Sequence, residues 1–320
     1  MVSTSRATTP VQQLRLVIAI LGMIAVPAAL TLHTAKVLPA QASQNLVQSS
    51  PLGYTWSLLL FVVPILTIAL WLVPQDGVSI SKKSFLWTIA LLVPSGFGLD
   101  FFFASSFLTF PNTGAVSGIH GPTLHSWVPI EEYVIYLTGF VAVLLIYLWL
   151  DEYWLAAYSV PSESEQRTQF DRLLKFHPQS LAWAAVLIAS ACIYKYLILH
   201  QTGFPGYFTF LVLGALLPSS VLLPEALPVI NWRAFSLTMF LIVLISLIWE
   251  ATLAMPYQWW GFNPTHMIGL YITGWTNLPI EEICVWIAVT FETTIVYEII
   301  RRWQASKRPA RHAFLGGRRS

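Results

Sequence analysis

Charge is what this 320-residue chain has least of. Lys, Arg, Asp and Glu together make up 10% of it, against 56% hydrophobic residues. A soluble domain carries about 25% charged residues, so an ordinary water-soluble core is excluded and the membrane is the expected solvent. There are only two cysteines, Cys192 and Cys284, both inside apolar runs. No pair has metal-ligand spacing, which argues against a structural zinc or iron–sulfur site. Both read as small buried hydrophobes. The four aspartates, Asp76, Asp100, Asp151 and Asp171, include no Asp-rich pair for a magnesium diphosphate, which argues against a prenyltransferase. A haem-binding redox protein needs histidines stacked within helices, and only His33 comes close. His120, His125, His200 and His266 fall in or near connections, at no metal spacing.

What the chain does have is long apolar runs, at roughly 15–37, 55–74, 84–108, 128–150, 180–199, 206–227, 234–256 and 279–301. About 20 helical residues, rising about 1.5 Å each, cross a hydrocarbon core of about 30 Å, so eight spans are expected. The basic residues test this independently. With the N-terminus in the cytoplasm, all of the 17 Lys and Arg except Lys36 and Lys195 fall on the cytoplasmic side, a strong positive-inside pattern. Those two are expected to snorkel from helix ends. The expected fold is an all-α polytopic membrane helix bundle of about eight transmembrane helices, in the cell inner membrane with both termini cytoplasmic. The first run, with its basic start and the Ala-Gln-Ala at 40–42, also resembles a signal peptide, but it is long and lies far from that site.

Shifting the sequence by 150 residues lands it on itself. Pro74 meets Pro224, Lys83 meets Arg233, Phe85 meets Phe235, Asp100 meets Glu250 and Tyr147 meets Tyr297. Pro129-Ile130-Glu131-Glu132 meets Pro279-Ile280-Glu281-Glu282, with no gap needed. The expected organisation is two parallel four-helix repeats: a first repeat at 1–150, a cytoplasmic linker at 151–179, a second repeat at 180–302 and a frayed basic tail at 303–320. Each repeat holds an even number of spans, so both enter with the same orientation.

The informative acids lie toward the non-cytoplasmic side. Asp100 is 16 residues past Ser84, or roughly 24 Å up its helix, and Glu250 takes the matching position. Glu131, Glu132, Glu281 and Glu282 sit in the first turn of helices descending from that side, so six acids are expected near one depth. A plainer account of Pro-Ile-Glu-Glu is a helix start, since proline suits the first position and acids suit the positive end of the dipole. That account leaves out Asp100 and Glu250, well inside their helices. An ionised acid there costs at least ~2.5–3.5 kcal/mol and usually marks a functional site. Crowded carboxyl groups in a dry pocket retain protons near neutral pH, and such a group can protonate a weakly basic substrate. Glu292, mid-helix and matched by Ala142 in the first half, is a further acid without an assigned role. Glu298 reads as an ordinary surface pair with Arg301 and Arg302. The aromatics Trp127, Tyr133, Tyr136, Trp249, Trp259, Trp260, Trp275 and Trp286 flank the acids, as interfacial belt, packing or π faces for a cation.

Pro-Ile-Glu-Glu, present twice and preceded by an intramembrane acid about 31 residues earlier, resembles the membrane-integral (heterodimeric-type) lycopene cyclase domain family. The second half is closer, with Trp249-Glu250, Trp259-Trp260-Gly261-Phe262-Asn263-Pro264, Gly269, Leu278-Pro279-Ile280-Glu281-Glu282 and Tyr297-Glu298. The resemblance covers roughly 55–150 and 205–302. It implies a cofactor-free, redox-neutral cyclisation of a linear carotenoid end to an ionone ring, with neither hydride nor diphosphate. Donor and acceptor would come from Glu131, Glu132, Glu281 and Glu282, with Asp100 and Glu250 tuning or supplying protons. The paired phenylalanines that typically follow the acids are replaced by Tyr133-Val134-Ile135-Tyr136 and Ile283-Cys284-Val285-Trp286, and four spans per half replace three. These departures make the chain a divergent two-repeat member whose cavity suits another substrate as readily.

The implied partners are an apolar isoprenoid or carotenoid substrate taken from the bilayer and membrane lipid; a homo-oligomer is compatible, and no nucleic acid is expected. Two alternatives share the acids: a carotenoid hydratase, in which water traps the same cation, and a proton-coupled transporter. Against the transporter, the helices near the acids lack twin Gly/Pro breaks.

Overall fold

The structure is a computed structural model describing residues 51–72, 81–124, 127–161 and 164–316, together with Arg15, Ile18 and Gly22. Apart from those three residues the first expected span lies outside the described residues, as do the Ala-Gln-Ala at 40–42, His33, Lys36, Asp76, His125 and the last four residues.

Among the described residues seven helices are long and apolar enough to cross a membrane: α1 Gly53–Trp71, α2 Lys82–Phe107, α3 Ile130–Trp154, α4 Pro178–Ile198, α5 Gly206–Ala226, α6 Trp232–Ala254 and α7 Ile280–Ser306. The chain is an integral membrane protein of helical architecture. Local chemistry starts these helices. Ser81 Oγ accepts from Ser84 N to cap α2, and Asn231 Oδ1 accepts from Ala234 N to cap α6. Proline precedes the first residue of α3 and of α7, with two glutamates in each first turn. Among the described residues four segments widen to π-helical turns: Leu150–Trp154, Tyr194–Ile198, Val212–Leu216 and Glu250–Ala254. Such turns are rare and often fall at functional positions.

The centre is a bundle of α2, α3, α6 and α7, with α1 against α3, α5 against α7 and α4 outside α5. Its core is built on residues such as Leu144, Leu148, Leu247 and Ile295, with Tyr147 and Tyr297 edge to face at 6.2 Å. The outer helices expose Trp56, Leu60, Leu70, Trp183 and Leu197, the surface expected of helices solvated by lipid rather than water.

Two loops close the acidic end of the bundle and interlock there. Strand β1 (Leu108–Thr109) pairs antiparallel with β2 (Gly261–Phe262), while β3 (Tyr271–Ile272) pairs with β4 (Leu278–Pro279) just before α7. Asn112 donates its amide to the Tyr257 carbonyl at 3.0 Å, and Asn263 donates to the Ser106 carbonyl at 3.2 Å. Each asparagine also precedes a short 3-10 turn, and Gly118 and Gly269 follow at φ +76° and +95°. These loop positions correspond at a spacing of 151, whereas the helices correspond at 150.

At the opposite, basic end, the expected surface pair of Glu298 is a buried network. Arg167 meets Glu298 at 2.6 Å with both side chains fully buried, and the Tyr147 hydroxyl donates to Glu298 at 2.9 Å. Arg301 pairs with Asp151 at 3.2 Å and Arg302 with Glu225 at 2.8 Å. The correction arises because the polar segment after α3 folds back over the bundle, carrying Arg167 inward. The tail does not fray as expected up to residue 316. The short helix Ala310–Leu315 packs on this segment, with Leu173 N donating to Ala313 O and Leu174 N to Phe314 O.

Candidate active site

Adjacent residues on an α-helix point about 100° apart, so the two glutamates of each pair cannot face one cavity. The structure separates them. Glu131 and Glu281 turn outward to the loops: Glu131 Oε1 accepts from Ser117 N at 2.7 Å and from Thr55 Oγ1 at 2.5 Å, and Glu281 Oε1 accepts from Ile268 N at 2.6 Å. Backbone bonds from Ile130 N to Ile119 O and from Ile280 N to Leu270 O complete the same hairpin-like return. Both residues are buried loop anchors, and the expected meeting of six acids at one site is reduced to four.

Glu132 and Glu282 turn inward, to a small chamber of about 70 Å³ that Glu250 also lines. Tyr54 donates to Glu132 at 2.7 Å, Tyr207 to Glu282 at 3.0 Å, and the Trp286 indole to Glu250 at 2.6 Å. Asp100 is buried beside the chamber and hydrogen bonded to Tyr136, which lines it. Asp100 Oδ2 and Glu250 Oε2 meet no partner among the described residues. Aromatic rings of Trp249, Trp260 and Trp286 are part of the remaining wall, and no basic residue is among the described lining residues. Bare carboxyl oxygens in such a place are expensive to leave charged.

A second cavity, about 620 Å³ and almost wholly apolar, runs between α1, α3 and α6. Its polar contributions come from Thr138 and Ser246, and the Thr138 hydroxyl is already bonded to Val134 O at 2.6 Å. Ile135, Gly139, Trp249 and Trp286 line both cavities. The groove thus ends against the acid chamber, with the Trp286 ring at the junction.

Several residues fall elsewhere than expected. Lys195 does not snorkel: it is fully buried under the outer loop, its ammonium donating to the carbonyls of Pro264, Thr265 and Met267. Three acceptors replace its hydration, which is why burial is tolerated. Glu292 is partly buried and lines neither cavity. Cys192 and Cys284 are free thiols. No group of three or more His, Cys, Asp or Glu among the described residues is arranged to hold a metal ion.

The tyrosines at the starts of α1 and α5, which bond Glu132 and Glu282, are the site positions that the sequence pattern does not single out. A signal exists, since Pro51-Leu52-Gly53-Tyr54 and Pro205-Gly206-Tyr207 are near-copies. Their spacing of 153 hides them from a fixed shift of 150.

Compared with protein-family models, with curated proteins and with solved structures, the chain has no match in any of the three.

Proposed function

We propose that the chain is a membrane-embedded carotenoid cyclase of the lycopene type, closing a linear polyene end into an ionone ring by acid catalysis. The observation that carries this reading is the acid chamber itself: Glu132, Glu250 and Glu282, with Asp100 beside them, meet aromatic walls at the end of an apolar groove. Four neighbouring carboxyl groups with no cation lining the chamber cannot all be charged at acceptable cost, so at least one retains a proton. That proton adds to the terminal double bond of the polyene and leaves a tertiary cation. The neighbouring double bond closes the ring by forming a carbon–carbon bond, and a carboxylate removes a proton to restore a double bond. One proton enters and one leaves, so the product is an isomer and no cofactor is required.

Within this mechanism Glu132 and Glu282 are the donor–acceptor pair, each oriented by a tyrosine hydroxyl. Glu250 and Asp100 lie behind them as proton stores. The π faces of Trp249, Trp260 and Trp286 stabilise the cation without trapping it, as aromatic rings do for other cations. Glu131 and Glu281 hold the loops that roof the chamber.

The same reading makes the chain two parallel four-helix repeats, eight spans with the first included, both termini cytoplasmic in the cell inner membrane. The paired caps Ser81 and Asn231, the reciprocal amides of Asn112 and Asn263, and the Tyr147–Tyr297 contact favour a two-fold relation along the membrane normal.

The test is coexpression with a lycopene supply and chromatography of the pigments. Cyclic carotenoids that vanish in Glu282→Gln support the proposal. Hydroxylated acyclic ends make the enzyme a hydratase, and unchanged lycopene together with solute-driven acidification of proteoliposomes makes it a transporter.

A further inference from the structure

The groove lies on one side of the bundle, between α1, α3 and α6. On α1 its wall runs from Leu58 to Trp71, about 20 Å at 1.5 Å per residue, or roughly two-thirds of a hydrocarbon core of about 30 Å. The counterpart position, between α5 and α2 over α7, is filled. There Phe210 packs on Phe103 at 5.6 Å and on Phe107 at 5.5 Å, and a Cβ at Gly214 would lie 3.8 Å from Leu99. Leu222 continues that seam against Leu92, Phe140 and Val296.

From this asymmetry we infer that the groove between α1, α3 and α6 seats the unreacted arm of a linear polyene whose other end occupies the acid chamber, so that the chain handles one end per binding event. The inference rests on the cyclase reading for the chemistry at the chamber, but the groove's occupant is argued from shape. The wall is long and carbon-lined, with flat rings of Trp71, Trp154 and Trp249 along it, which suits a rigid conjugated chain. Its inner end meets the acid chamber at Trp249 and Trp286, which line both cavities. An arm lying there puts the chain's end at the acids, and the closed counterpart leaves no second bed for the opposite arm. A product with two rings therefore requires release, reversal and re-entry.

Gly139 and Ala142 set the bore. Gly139 lines both cavities, and a Cβ there would reach Trp286 Cζ3 at 3.7 Å. Ala142 lines the groove one turn further on. Larger side chains at either position fill the space the arm needs.

The experiment is titration of lycopene into the full chain in lipid nanodiscs, read by quenching of tryptophan fluorescence, alongside a time course of products. Expected are saturable binding of one lycopene per chain, affinity weakened about tenfold or more in Gly139→Leu and Ala142→Phe, and free monocyclic product accumulating before any bicyclic one. Thermal melting identifies a plugged variant that fails to fold, and the other then decides. Absent or non-saturable binding, two lycopenes per chain, binding unaffected in a folded plugged variant, or bicyclic product formed without free intermediate would each overturn the inference. Saturable, plug-sensitive binding without any ring formation upholds the groove and overturns the cyclase reading instead.

Discussion

The indole nitrogen of Trp286 donates to Glu250 at 2.6 Å, tying the helix that carries the second Pro-Ile-Glu-Glu to the helix that carries a buried acid. Because Glu250 Oε2 meets no partner among the described residues, this bond is the directional contact that orients the carboxyl group. Trp286→Phe keeps a large ring at the mouth of the chamber but deletes the donor. Leaving a buried acceptor unsatisfied costs about 1–3 kcal/mol. The expected outcome is a lower melting temperature by that equivalent, with ring formation reduced about tenfold or more. Cyclic product formed at the normal rate in a folded Trp286→Phe protein would show that the orientation of Glu250 is not used.

Separation of the paired glutamates makes the two members of each pair distinguishable. Glu132→Gln and Glu282→Gln keep the Tyr54 and Tyr207 contacts sterically but remove the titratable group, and ring formation should be lost while the protein remains folded. Glu131→Gln and Glu281→Gln instead disturb the hydrogen bonds that hold the loop backbone, each worth about 0.5–1.5 kcal/mol. They should lower thermal stability and retain part of the activity. Activity assays and melting curves on all four variants check this. Equal loss of activity without loss of stability in Glu281→Gln would return that residue to the chemistry.

The interlocked loops predict reciprocal behaviour. Asn112 and Asn263 each bond a carbonyl on the other side of the bundle at similar distances. The cross-bundle bond should therefore contribute similarly at the two sites, about 1 kcal/mol each, while Asn263→Ala loses in addition the bonds that its Oδ1 accepts from Thr265 N and Thr265 Oγ1. Both sit where β1 meets β2, so the double variant should deviate from additivity. Reversible unfolding in mixed micelles provides the measurement, and a large effect at one site only would show that the loops do not act as a pair.

Much of this was legible because membrane helices carry long-range information in plain form. Seven of the expected spans recur within a few residues of their expected ends, since each needs an uninterrupted apolar run to satisfy its backbone in lipid. Asp100, Glu132, Glu250 and Glu282 stood out because charge at that depth is costly. What escaped lies where helical periodicity stops acting. Glu131 and Glu281 looked equivalent to their neighbours until side-chain direction separated them. Tyr54 and Tyr207 lie at helix starts, displaced by three residues from the common register. Arg167 seemed part of a solvated linker, because nothing in its own neighbourhood announces that Glu298, 131 residues later, needs a cation.

That last pair carries the sharpest stability prediction. Arg167 and Glu298 are both fully buried and 2.6 Å apart, with the Tyr147 hydroxyl and Arg301 also addressing the carboxylate. Removing one partner of a buried ion pair leaves an uncompensated charge and costs about 3–5 kcal/mol, while replacing both with apolar groups is often far less harmful. Arg167→Met should therefore be severely destabilising, because Glu298 retains only Arg301 as a cation within reach, at 3.6 Å. Glu298→Gln should be milder, since the amide oxygen still accepts from Tyr147 and Arg167 retains acceptors at Val160 O and Val229 O. The double variant Arg167→Met with Glu298→Gln should recover part of the loss of Arg167→Met alone. A double-mutant cycle on unfolding free energy measures the coupling, and strict additivity of the two changes would show that the pair is not the unit that holds the folded-back segment on the bundle.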